Sequence, residues 1–255
     1  MTLAAHGLTL AVPGRTLVDG LELALAPGEC WAVLGPNGAG KTSLLHALAG
    51  LRRPEAGGVA LDGAAVGSLA RRDFARRVGI LLQEETESFW GSVLDYVLLG
   101  RLPHETGLFA PDAGATGKAL SALGEVDLAP RAAQPYRTLS GGERQRARLA
   151  QLLVQAPSVW LLDEPLAHLD LGHQLAAMEL ARRLARDGCA VAMALHEPLW
   201  AARYCGHALL LYDSGRFRHG PVHAVLTQEN LEALYGCRLA PAADVSPPLF
   251  VPIAS

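Results

Sequence analysis

Residues 35–42 read GPNGAGKT and fill the pattern G-x-x-x-x-G-K-[ST] with Gly35, Gly40, Lys41 and Thr42. Glycines at these places, with Pro36, Asn37, Gly38 and Ala39 between them, let backbone amides turn inward around a phosphate. A helix starting near Lys41 adds its N-terminal partial charge. Lys41 can reach the β and γ phosphates of a nucleotide, and the Thr42 hydroxyl suits a Mg²⁺ shell. Of the 22 basic residues, Lys41 and Lys118 are lysines and the rest arginines, so a lysine here looks required rather than incidental. A second constellation follows an apolar run in VWLLDEP: Asp163 can hold Mg²⁺, and Glu164, facing the other side of the strand end, can accept a proton from water. Gln83 and His196 each end a predicted strand. Strand ends of this kind converge on the ligand crevice of an open α/β sheet.

A second glycine turn opens LSGGERQ. Ser140 followed by Glu143 is a capping box for the helix beginning GERQRARLAQLL. The cap does not account for Gly141 and Gly142, because glycine costs about 1 kcal/mol per site inside a helix relative to alanine. Both glycines make sense if a phosphate approaches the backbone. The chain's own phosphate site is already supplied by residues 35–42. The second turn therefore suits a nucleotide held by another copy, and two-fold symmetry would give two shared sites from one contact.

The elements that must position these groups alternate. Short strands occupy residues 3–34, broken by PGRT and APGE. CWAVL (30–34) is a continuous apolar run suited to a strand buried on both faces, and residues 41–50 have helical spacing with a terminal glycine. Further strands are expected at 57–63, 78–83, 158–165, 188–197 and 207–215. With helices between them, they make a doubly wound parallel sheet. Residues 92–137 look helical, with PH, TG and PD breaks, and read as an insertion. The C-terminal APAADVSPPLFVPIAS is proline-rich and reads as a loosely ordered tail.

At 255 residues the chain suits one large α/β domain, and with half of them hydrophobic it can fill a core. A net charge of −3 gives no basic surface for a nucleic-acid partner. Cys30, Cys189, Cys205 and Cys237 show no CxxC spacing, and Cys30 and Cys189 read as small buried hydrophobes. The N-terminus lacks the form of a signal peptide and no apolar run is long enough to span a bilayer, so an intracellular chain is expected.

LSGGERQ resembles the signature of ABC-type ATPases. GPNGAGKT, Gln83, VWLLDEP, LAHLD and His196 fall in that family's order over about residues 5–236. The resemblance implies a P-loop NTPase with a RecA-like core, an antiparallel β subdomain and a helical subdomain at about 88–155. That makes one domain over 1–240 and a tail at 241–255. It implies ATP and Mg²⁺ between two head-to-tail copies. Gly35–Ser43 would bind the nucleotide; Thr42, Gln83 and Asp163 would serve the metal; Glu164, His196 and Gln83 would serve catalysis. Ser140, Gly141, Gly142 and Asp170 would reach the nucleotide across the dimer. Three departures stand out. AVPGR offers Pro13 and no aromatic residue for the adenine; His168 replaces a small residue; and the histidine motif reads HEP.

VPGRTL, LLGRLPH and LTQENLEALYG are similar to ATPases of importers for vitamin B12, haem and iron–siderophore chelates, with FWGSVLDYVLLGRLPH and LAHLD leaning to cobalamin. Two membrane permease subunits and, indirectly, a periplasmic binding protein are the implied partners. The place is the cytoplasmic face of the inner membrane. Phe89 and Trp90, read as exposed, are candidates for the permease contact. The alternatives are a haem or siderophore importer, or a soluble ABC ATPase of cofactor assembly.

Overall fold

The computed structural model describes residues 1–83, 89–105, 114–242 and 249–253. The acidic run at 84–88, the turn signals near 106–107 and 111–112, and residues 243–248 of the tail lie outside the described residues.

In chain order, β1 (Leu3–Val12), β2 (Arg15–Leu25) and β3 (Cys30–Leu34) precede α1 (Lys41–Leu48). Then come β4 (Ala56–Leu61), β5 (Ala64–Ala65), α2 (Arg71–Ala75) and β6 (Val78–Leu81). The helices α3 (Val93–Leu98), α4 (Ala115–Glu125) and α5 (Gly141–Gln155) follow, then β7 (Val159–Asp163) and α6 (Leu171–Arg186). Next are β8 (Ala190–Ala194), α7 (Pro198–Tyr204), β9 (His207–Leu211) and β10 (Phe217–Pro221). The last elements are α8 (Val222–Val225), α9 (Gln228–Tyr235), β11 (Leu239–Pro241) and β12 (Phe250–Pro252).

The central sheet runs β10-β9-β3-β8-β7-β6. The neighbours from β9 to β6 are parallel, and β10 closes the edge antiparallel to β9. The strands β3, β7 and β8 are buried at every position, which is why they read as unbroken apolar runs. Alternate residues feed two cores. Ala32, Leu34, Trp160, Leu162 and Met193 face α3–α7. Trp31, Val33, Val159, Leu161 and Ala192 face α1 and the first sheet, with Leu44, Leu45 and Leu48 of α1 filling the gap. Each buried leucine contributes about 1.5–3 kcal/mol.

The first sheet, β2-β1-β4-β5, is antiparallel throughout. Its first two strands have 10 and 11 residues, longer than the short strands the sequence suggests. Register shifts after Ala5 and Leu8 bend β1, so the pair stays continuous where the sequence pattern breaks.

Among the described residues of 92–137 there is no strand, only an isolated bridge between Ser92 and Pro135. Part of the C-terminal tail forms a strand among the described residues. Its residues Phe250–Pro252 pair with Leu239–Pro241, so the boundary expected at 240 falls inside a β ribbon. Cys30 is buried as expected, against Cys205 at 3.6 Å between sulfurs, whereas Cys189 is half-buried. Among the described residues, no helix is long and apolar enough to cross a membrane.

Candidate functional site

The loop from Gly35 to Gly40 leaves the buried end of β3 and turns directly into α1. Gly40 sits at φ +107°, and a Cβ there would lie 2.9 Å from Leu17, so glycine is required both by conformation and by space. The Ala39 amide bonds the Pro36 carbonyl at 3.1 Å and closes the turn. Lys41 is buried, with Nζ donating to the carbonyls of Gly35 at 2.7 Å and Pro36 at 3.3 Å. Burial lowers its pKa, while the charges of Glu164 and Asp163 pull it back up. An ammonium seated on its own loop beside two carboxylates is a charge ready for a phosphate.

This loop floors a cleft of about 490 Å³. Asn37, Gly38, Gly40, Lys41, Thr42 and Ser43 line it, together with Gln83, Glu164 and His196. Val12, Arg15 and Leu17 of the first sheet also line it. Arg15 donates to the Gly38 carbonyl and lies 3.9 Å from Asp213. Among the described residues that line the cleft there is no Phe, Tyr or Trp.

The parallel register brings the chemistry together. Asp163 ends β7 opposite Ala194 of β8, so Glu164 and His196 leave neighbouring strand ends. Gln83 and His196 each lie two residues beyond their strands rather than on the last position. Glu164 takes φ +49°, a left-handed backbone unusual for a non-glycine residue, and its Oε1 meets His196 Nε2 at 2.8 Å. Thr42 Oγ1 donates to Gln83 Oε1 at 3.5 Å. Asp163 is 1% exposed, and neither of its carboxylate oxygens has a hydrogen-bond partner. Burial raises its pKa, with the Thr42 hydroxyl acting against the shift and the Glu164 charge adding to it.

A buried carboxylate near the Thr42 hydroxyl, which in turn meets Gln83, fits a divalent cation. Among the described residues, no group of three His, Cys, Asp or Glu side chains forms a metal cage. Mg²⁺ takes one or two carboxylates and completes its shell with water and substrate phosphates, so one carboxylate with a hydroxyl is a suitable donor set.

None of Ser140, Gly141, Gly142 or Asp170 lines this cleft within the same chain. Ser140 caps α5: its amide donates to Glu143 Oε2 at 2.8 Å, and its hydroxyl accepts from the Glu143 amide at 3.3 Å. These bonds, first among them that of the Ser140 amide, hold the Glu143 pKa down. The two glycines have a reason that sequence spacing did not suggest. A Cβ on Gly142 would lie 2.6 Å from the His168 carbonyl, and one on Gly141 would lie 3.3 Å from the His168 ring. The capping turn is packed against the LAHLD loop. Asp170 caps α6, accepting from the His173 amide at 2.9 Å and pairing with the ring at 2.8 Å; these two bonds lower its pKa. Ser140, Gly141 and Asp170 are exposed.

Several residues that act on the site were not singled out from sequence. The Tyr235 hydroxyl donates to the His196 carbonyl at 3.3 Å, and burial pushes the Tyr235 pKa up to about 12. Gln145 and Arg148 of α5 are buried polar side chains that reach Glu164 and Leu82. Of the pair read as exposed, Trp90 is 80% exposed with the Arg137 guanidinium 4.9 Å from its ring centre. Phe89 corrects that reading: it is partly buried, edge-on to Tyr96 at 5.4 Å and Tyr136 at 5.9 Å.

Residues 18–167 match the family model described as ABC transporter. The chain is 41% identical to a hemin import ATP-binding protein, HmuV, of Nocardia farcinica, covering 92% of this chain and 83% of that one. It is 38% identical to a cobalamin import ATP-binding protein, BtuD, of Halobacterium salinarum, covering 96% of this chain and 61% of that one. Its fold superposes with a TM-score of 0.83 and 28% identity on a chain from an inward-facing ABC transporter assigned to the metal-chelate type, covering 99% and 98% of the two chains.

Proposed function

This chain belongs to the ABC transporter family as an ATP-binding ATPase subunit, and from that premise we propose that it powers import of a metal chelate of the cobalamin, haem or ferric-siderophore class. The observation that carries the proposal is the convergence of Lys41, Thr42, Gln83, Glu164 and His196 on one cleft, with Glu164 and His196 paired at 2.8 Å. The relatives named for hemin and for cobalamin support the ligand class at 41% and 38% identity. The metal-chelate transporter supports it through the fold.

In this reading Gly35–Ser43 hold the phosphates through backbone amides, Lys41 and the α1 N-terminus. Thr42, Asp163 and Gln83 would hold Mg²⁺, which neutralises charge on the β and γ phosphates when bound. Glu164 takes the proton of the water that attacks the γ-phosphorus; the P–O bond to ADP breaks as the new P–O bond forms. His196 orients the Glu164 carboxylate and meets the γ-phosphate. The capping turn at Ser140, Gly141 and Gly142, with Asp170, completes the site of a second copy. ATP thereby closes a homodimer on two permease subunits at the cytoplasmic face of the membrane, and a periplasmic binding protein delivers the cargo.

The test is uptake of labelled cobalamin and labelled haem by cells lacking this gene, with the intact gene or a Lys41→Ala copy restored. Uptake of one ligand that only the intact gene restores identifies the cargo and its dependence on this ATP site. Unchanged uptake of both, in a strain without a redundant importer, leaves the ferric chelates. Unchanged uptake of those as well removes the import reading in favour of a soluble ATPase.

A further inference from the structure

Two buried polar side chains of α5 join parts of the cleft that come from different strands. Gln145 is 3% exposed and Arg148 is 7% exposed, one helical turn apart on the same face. Gln145 Nε2 donates to the Glu164 carbonyl at 3.0 Å. Gln145 Oε1 accepts from Arg148 Nη1 at 3.1 Å. Arg148 Nη2 donates to the carbonyl of Leu82, the residue before Gln83. A continuous relay thus runs from the Gln83 segment through α5 to the peptide that carries Glu164.

That peptide needs holding. Glu164 occupies the left-handed region at φ +49°, a conformation that persists for a non-glycine residue when its surroundings enforce it. The Glu164 amide donates to the Ala194 carbonyl at 3.2 Å, and its carbonyl also accepts from the Ala167 amide at 3.1 Å. Gln145 supplies the grip that comes from outside this turn and the sheet. The same left-handed turn directs the Glu164 carboxylate to His196 at 2.8 Å.

We propose that Gln145 and Arg148 are positioning residues for ATP hydrolysis, fixing the strained Glu164 peptide relative to the segment that carries Gln83. The proposal rests on Glu164 being the base. It assigns no contact with nucleotide to either residue, so their removal lowers turnover without lowering ATP affinity.

The test uses the full chain and measures kcat, KM for ATP, equilibrium ATP binding and thermal unfolding. Gln145→Met keeps the side-chain volume and removes both bonds. Gln145→Glu keeps the acceptor for Arg148 and sets an acceptor against the Glu164 carbonyl. Arg148→Met cuts the link to Leu82, and Arg148→Lys retains one donor. A misplacement of about 1 Å costs up to about a hundredfold in rate, so kcat should fall about 10- to 100-fold in both Gln145 variants and in Arg148→Met. KM and ATP affinity should stay within about twofold, and Arg148→Lys should recover part of the rate. A folded Gln145→Met protein with turnover within about twofold of the parent would overturn the relay, as would loss of kcat matched by loss of ATP binding. If Gln145→Met does not fold, Gln145→Glu and Arg148→Lys decide by the same readouts. Glu164→Gln is run beside them: retained turnover there removes Glu164 as the base, whereas an inert Glu164→Gln with a fully active Gln145→Met removes the relay alone.

Discussion

Glu164 Oε1 and His196 Nε2 meet at 2.8 Å because β7 and β8 are adjacent parallel strands whose C-terminal ends lie in register at Asp163 and Ala194. The left-handed turn at Glu164 then brings its carboxylate round to the imidazole. The pair stands at the cleft edge facing Lys41 and Thr42, with the His196 peptide held by Tyr235.

A base and its orienting partner act as a unit, and their losses do not add. Glu164→Gln should bind ATP as the parent does and lose about 10²–10⁴ in turnover. His196→Ala should fall into the same range, and the double variant should be little worse than either single one. Phosphate release and displacement of a fluorescent ATP analogue measure the two quantities separately. Rates that multiply in the double variant would mean that the two groups work independently.

Ser140 has a local role, capping α5, and a proposed role at a second copy's nucleotide. Substitution can separate them. Ser140→Ala removes the cap and should cost about 1 kcal/mol of stability. Asp caps as Ser does but gives up the Ser140 hydroxyl's 3.0 Å bond to Glu143 Oε2, so Ser140→Asp should keep only part of that stability while setting a negative charge toward the phosphate. ATP-induced dimerisation of a Glu164→Gln protein, read by size-exclusion chromatography, should be lost with Asp at 140 and weakened with Ala. Full dimerisation of the Asp variant would leave Ser140 with capping alone.

Much of this site was legible because its signals are local. The phosphate loop, the apolar run before Asp163 and the capping box at Ser140 each depend on residues within one turn or strand. The parallel strands were legible because burial on both faces leaves continuous runs such as CWAVL and VWLLD. What escaped depends on contacts between distant segments. FRHGP of β10 is mostly exposed and carries no apolar pattern, so an antiparallel edge strand left no mark. Gln145 and Arg148 look like the solvent face of a helix until packing buries them against Leu82 and Glu164. The need for glycine at 142 comes from the His168 carbonyl, which approaches from the other side of β7 in the chain. Phe89 looked exposed in an acidic stretch, and Tyr96 and Tyr136 partly cover it.

Asp163 should make the nucleotide-free protein less stable at neutral pH than it would be with a neutral side chain there. Its carboxyl is buried, and that burial raises its pKa against the opposing pull of the Thr42 hydroxyl and the Lys41 charge. Between the ordinary value of 3.8 and the raised one, the unfolded chain has released a proton that the native chain retains. Stability from this group therefore falls as pH rises through that window, and the penalty is complete above it. Asp163→Asn should raise the unfolding midpoint by about 2–6 °C at pH 7, a gain that shrinks as pH falls toward 3.8. Mg²⁺-dependent ATP hydrolysis should be lost in the same variant. Thermal scans at pH 7 and pH 4, without nucleotide, check the stability part. An Asn variant less stable than the parent at pH 7 would show that attraction between Asp163 and Lys41 outweighs the cost of burying the carboxylate.

Trp90 is the exposed aromatic best placed for a protein partner, standing 80% free and held under the Arg137 guanidinium. Replacing it forfeits about 0.5–1 kcal/mol of cation–π contact and little buried area, so Trp90→Ala should fold and hydrolyse ATP like the parent. Aromatic anchors carry a large share of interface energy, and their truncation commonly costs 2 kcal/mol or more, about thirtyfold in affinity. Co-purification of the permease and ligand uptake should fall by about that factor while the isolated subunit's ATPase rate stays unchanged. Arg137→Ala, which frees the ring without removing it, should give an intermediate loss. Phe89→Ala should instead lower the unfolding midpoint, because Phe89 packs on Tyr96 and Tyr136. Normal uptake with Trp90→Ala would move the permease contact away from this edge of the helical subdomain.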